Sequence, residues 1–105
     1  MAPEKYQISA LEKLANSNLL KKVYPMVDWI EIFYNKSDNR KGTLTAIIHL
    51  KDPEINSDNM YKKGFDPDYL VSIHFVNFMK YLGIDRMPVG FQVYGPEGNL
   101  ITKTL

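Results

Sequence analysis

Residues 66–83 read DPDYLVSIHFVNFMKYLG, and this stretch carries the strongest helix signal in the chain. Asp66 is placed to cap free amides, Pro67 suits the first helical position, and Asp68 complements the positive end of the helix dipole. At the other end Lys80 falls in the last turn, and Gly83 lies just beyond it, where a residue without a side chain closes a helix at little cost. At about 100° per residue, Leu70, Val71, Phe75, Phe78, Met79, Tyr81 and Leu82 share one half of the helical wheel, with Val71, Phe75, Phe78 and Leu82 at its centre. That half predicts the core, with Phe75 and Phe78 nearly fully buried. His74 falls at the edge of this half, in the position of a core histidine hydrogen-bonded to backbone or to a tyrosine. Tyr69, Ile73 and Val76 cluster on the opposite half, which in a helix with one buried face should be mainly polar.

Upstream of this helix, residues 3–23 place Ile8, Leu11, Ala15, Leu19 and Val23 at helical spacing, while Asn16, Ser17 and Asn18 are cap-forming residues that can divide the segment into two short helices. Two runs rich in branched and aromatic residues follow, VDWIEIFYN (27–35) and TLTAIIHLK (43–51), joined by the polar KSDNRKG. They predict a strand hairpin. Alternation puts Ile30, Ile32 and Tyr34 on one face of the first strand and Trp29, Glu31 and Phe33 on the other. In the second strand, Leu44, Ala46, Ile48 and Leu50 oppose Thr45, Ile47, His49 and Lys51. Downstream of the helix, VGFQVY (89–94), the turn signal GPEGN and LITKTL (100–105) predict a second hairpin. Residues 52–65, between the first hairpin and the helix, are polar and lack periodicity, so they predict a long mobile loop with few core contacts.

The order α-β-β-α-β-β predicts a single α+β domain over residues 1–105. It would be a two-layer sandwich with two helices on one face of a four-stranded, mainly antiparallel sheet. The same order would arise if a ferredoxin-like fold were permuted so that its first strand came last, a likeness of topology alone. One core accounts for 105 residues.

The thirteen Lys and Arg against twelve Asp and Glu leave a formal charge of +1, so no whole-protein field draws the chain to nucleic acid or anionic lipid. The lack of cysteine excludes disulfides, thiol nucleophiles and cysteine-ligated metals, and points to an intracellular, cytoplasmic location. The N-terminal residues contain early charges and no long apolar run, which predicts neither a signal peptide nor a membrane anchor. No membrane partner is expected.

With both helices on one face, the other face is left to Trp29, Phe33, Ile47, His49 and Tyr94, which form the candidate binding set, together with Glu31, Thr45, Lys51 and Gln92. Aromatic rings interleaved with polar groups on an open sheet suit protein contacts or base stacking. Against the aromatic strand motif of RNA-recognition modules, residues 87–94 agree only at Gly90, Phe91 and Tyr94 and lack the leading basic residue. His49 and Glu31 lie on the same face of the hairpin, at a spacing that permits an acid–base pair. Asp52, Glu54, Asn56 and Asp58 alternate like calcium ligands, but Ser57 and Lys63 stand where an EF-hand needs glycine and glutamate. Two basic clusters, Lys36 with Arg40 and Lys41, and Lys62 with Lys63, read as solvated loop tips. No catalytic constellation is complete, and no metal or other cofactor is expected.

The sequence therefore predicts a small interaction or regulatory protein that forms a homodimer through its open sheet face or the rear of the central helix. Two alternatives are a nucleic-acid-binding regulator using the aromatic face and the basic loops, and a small acid–base enzyme centred on His49 and Glu31.

Overall fold

A computed structural model describes residues 2–36 and 42–104. Helix α1 (Lys5–Ala15) and helix α2 (Asn18–Val23) lead into strands β1 (Val27–Asn35) and β2 (Thr43–Leu50). The central helix then spans residues 67–82, followed by β3 (Val89–Tyr94) and β4 (Leu100–Lys103). The four strands form one sheet in the order β1-β2-β3-β4. The helices lie against one face of it, over Ile30, Ile32, Leu44, Ala46, Ile48, Phe91 and Val93, all buried. The α+β two-layer architecture read from the sequence is the one observed.

The sheet is mixed rather than mainly antiparallel. Both hairpins are antiparallel, but β2 and β3 run parallel at the centre, with Leu44 opposite Val89 and His49 opposite Tyr94. The cause is the connection between them, which is long enough to carry the chain over the sheet and return it to the end where β2 began. A permuted ferredoxin-like sheet would seat the last strand between β2 and β3, and here β3 itself pairs with β2.

The central helix begins and ends as its sequence predicts. Asp66 Oδ1 accepts from the Tyr69 amide at 3.2 Å, and Pro67 opens the first turn. Gly83 turns left-handed at φ 73°, while its amide reaches the Lys80 carbonyl and the Ile84 amide reaches the Met79 carbonyl. These bonds satisfy carbonyls that a helix end otherwise leaves free.

Between those ends the winding departs from expectation, because Leu70–Phe75 is a π-helix that returns to α over Val76–Leu82. A π turn holds more residues than an α turn, so positions beyond it slip back around the axis relative to a regular wheel. The buried residues are accordingly Leu70, Val71, Phe75 and Met79. Phe78 and Leu82, placed at the centre of the buried half by regular winding, are half-buried, and Tyr81 is 81% exposed.

The N-terminal segment divides at Asn16 and Ser17, where Ser17 Oγ accepts from the Leu20 amide. The break resets the helical phase, so Leu20 is buried while Leu19 and Val23, expected on the inner stripe, are exposed. Asn16 gains a second role. Its side-chain amide donates to the Ile30 carbonyl and accepts from the Ile30 amide, both at 2.8 Å, and Glu12 Oε2 accepts from the Ile32 amide at 2.8 Å. The outer edge of β1 is thus hydrogen-bonded by side chains of the first helical segment.

The connection before the central helix is also better anchored than its composition predicts. Ile55, Met60 and Phe65 are buried in the core, and Phe65 meets Tyr24 edge to face at 5.9 Å. The polar residues between these anchors form local turns. Asn56 and Asn59 exchange side-chain to backbone bonds at 2.8 and 3.0 Å, and Asn59 also donates to the Glu54 carbonyl. The Phe65 amide, bonded to the Met60 carbonyl at 2.9 Å, should therefore exchange slowly, and exposed Ser57 quickly. Hydrogen exchange followed by NMR tests this, and uniformly fast exchange over residues 52–65 would show that the three apolar anchors do not hold the segment.

Candidate functional site: the open face of the sheet

The face opposite the helices is built from three cross-strand rows. Trp29, His49 and Tyr94 form one row, Glu31, Ile47 and Gln92 the next, and Phe33, Thr45 and Gly90 the third. A β-bulge between Val27 and Trp29 sets this arrangement. An extra residue in one strand shifts the alternation, so Val27 enters the core while Trp29 points to the open face.

In the first row the rings stack on one another. Trp29 and His49 have centroids 4.5 Å apart and planes only 7° from parallel, and His49 and Tyr94 follow at 5.9 Å and 22°. Coplanar rings lying flat on the sheet would collide at 4.5 Å. These rings therefore stand upright, face to face, at about the spacing of adjacent strands. Both faces of His49 are covered by its neighbours, while Trp29 and Tyr94 at the ends of the row each stack through one face.

His49 Nε2 lies 2.9 Å from Glu31 Oε1. An ionised carboxylate only accepts, so Nε2 carries the proton in this contact. The pair that the spacing permits is formed, yet it sits half-buried on the open face, whereas a cavity of about 810 Å³ lies on the helix side of the sheet. The Tyr94 hydroxyl donates to Gln92 Oε1 at 2.7 Å. Trp29 remains 43% exposed and Phe33 54%, with Ile47 half-buried between the rows. The five residues of the candidate set thus lie on one surface, with Trp29, His49 and Tyr94 in direct ring contact and Phe33 and Ile47 on the neighbouring rows.

The other candidate residues have local roles. Asp52 Oδ1 accepts from the Glu54 amide and Asn56 Oδ1 from the Asp58 amide, so the alternating acids and amides close turns. Among the described residues no three His, Asp or Glu side chains are grouped to hold a metal ion. Lys63 meets Glu54 at 3.5 Å on the surface. Arg40 and Lys41 lie outside the described residues.

His74 is half-buried in the π segment, edge on to Tyr24 at 5.7 Å and to Tyr69 at 5.6 Å. Burial of Tyr24 pushes its hydroxyl pKa above the usual tyrosine value, and the charges of Asp66 and Tyr69 add to the shift.

A groove that sequence reasoning missed lies on the helix side. Its volume is about 810 Å³, and it is lined by the central helix and by residues 84–89. The available signals were Val76, already conspicuous on the rear of the helix, and the apolar residues Ile84, Met87 and Val89 in the connection after Gly83. No family model, curated protein or solved structure matches the chain. Among the described residues no helix is long and apolar enough to cross a membrane.

Proposed function

We propose that this protein acts through protein–protein contact on the open sheet face, with a second copy of the chain as the partner, in an intracellular compartment. The observation that carries this reading is the exposure of Trp29 and Phe33 beside Ile47, on the face that the helices leave uncovered. Large aromatic side chains dominate the centres of protein interfaces. Two copies related by a two-fold axis would bring the same face against itself. The stack closes both faces of His49 and leaves only the outer faces of its end rings for a base, and the formal charge of +1 supplies no field to draw in a polynucleotide, which favours protein contact over base binding. In the His49–Glu31 pair only Nε2 and Oε1 meet, so Glu31 Oε2 and His49 Nδ1 are left as polar groups for a partner to bond at the interface.

Light scattering across a wide concentration range tests the proposal. The native chain is expected at twice its 12.1 kDa mass. Phe33→Glu, which places a charge at the anchor, should raise the dissociation constant at least about thirtyfold. A native chain that stays monomeric at every concentration would end this reading.

A further inference from the structure

We infer that the groove on the helix side binds a single-chain amphipathic anion, a carboxylate with an alkyl tail. This goes beyond the open-face reading and does not depend on it. Val71, Val76, Met79, Ile84, Met87 and Val89 give the groove an apolar lining along its length. Its volume of about 810 Å³ falls in the range of roughly 300–1,000 Å³ common to small-molecule sites. Two of those residues are methionines, whose unbranched, polarisable side chains adapt to a flexible tail.

Charge selects the head group. Lys80 and Arg86 stand at the groove, and among the described residues neither is held in an ion pair. Asp68 is the acid that also lines it, leaving an excess of one positive charge. An arginine fork and a lysine ammonium together suit a carboxylate. A fully apolar ligand would leave both without a partner, and a cationic one would be repelled.

The helix geometry gives independent support. Val71 and Ser72, which line the groove, belong to the π-helical segment, and Val76 follows it directly. Wide turns of this kind are uncommon and recur at functional sites, because they redirect side chains that regular winding would align. Here the slip that takes Tyr81 out of the core leaves Val76 facing the 84–89 segment, and so helps to form the groove.

Titration with sodium dodecanoate below its micelle concentration, followed by the methyl resonances of the methionines, tests the inference. Saturable shifts are expected at Met79 and Met87, and not at Met26 or Met60, which lie outside the groove. The double substitution Lys80→Gln with Arg86→Gln removes both cationic partners and should weaken binding at least about tenfold, which the loss of one charge-assisted contact alone would give. Lys80→Arg with Arg86→Lys, which keeps both charges, should restore most of it. Both residues are exposed, and an unchanged spectrum of the free variant confirms its fold. On the native chain, dodecanol should bind about as weakly as dodecanoate binds to the double variant, a comparison that needs no substitution. Shifts spread equally over all the methionines, no saturable binding, or equal affinity for dodecanol and dodecanoate would overturn the inference. Light scattering reads the open-face proposal separately, so either result can fail alone.

Discussion

Replacing Phe75 with alanine is expected to lower stability by about 3–5 kcal/mol, measured by chemical denaturation. Phe75 is 0% exposed and lies in the core with Leu70 and Met79, so truncation removes apolar burial and leaves a cavity that rigid neighbours fill poorly. A domain of this size has about 5–15 kcal/mol in all, and the variant should be marginal at room temperature. Phe78→Ala should cost about half as much, since Phe78 only packs against the core's margin. Tyr81→Ala should fall within about 0.5 kcal/mol of the native chain. The order of the three matters more than any single value. Regular α-helical winding would make Phe78 as costly as Phe75, and that result would contradict the π segment.

Asn16→Ala is expected to cost about 2–4 kcal/mol, because it strips partners from both the amide and the carbonyl of Ile30. An ordinary surface asparagine would cost a fraction of that. Asn16→Asp gives the sharper test. It keeps an acceptor for the Ile30 amide but aims a negative charge at the Ile30 and Glu12 carbonyls, where the native side chain donates. Repulsion raises the folded-state pKa of the new carboxyl above its unfolded value. The loss is then full above the folded value and recedes as pH falls through it, since the protonated carboxyl can donate again. Denaturation of the native chain and of Asn16→Asp between pH 7 and pH 4, with stability differences converging toward the acid end, is the expected result. A constant difference would mean that the bonds to Ile30 do not govern the stability of this junction.

Much of the fold was legible because local signals agreed. Asp66, Pro67 and Gly83 marked the ends of the central helix, and GPEGN closes the second hairpin, with the Gly95 amide bonded to the Asn99 carbonyl at 2.9 Å. The two faces of the first hairpin followed from alternation, so the aromatic surface could be named residue by residue. Three features escaped for physical reasons. The parallel pairing of β2 and β3 depends on how the chain returns after a long excursion, which no local pattern encodes. The π-helical winding leaves its residues looking like ordinary helix formers, so Phe78 was assigned a depth it does not have. The groove needs two segments brought together by Gly83, and only one of them carried a recognisable period. Asn16 was read correctly as a residue that interrupts a helix. That its side chain also completes the outer edge of β1 depended on a tertiary contact.

The bonds from Asn16 and Glu12 to β1 also give the sheet a polarity. At one side the strand edge is already occupied by side chains. At the other, β4 is the last strand in the order, it is short, and its Leu100 is 47% exposed. A sheet open at both margins can recruit neighbours without limit and grow into a fibre. One that is blocked at one margin can gain only a single neighbour, edge to edge, before both free margins are consumed. The first helical segment therefore sets a toll on strand addition at β1, since a neighbour there would have to displace the side chains that already hold the Ile30 amide and carbonyl and the Ile32 amide.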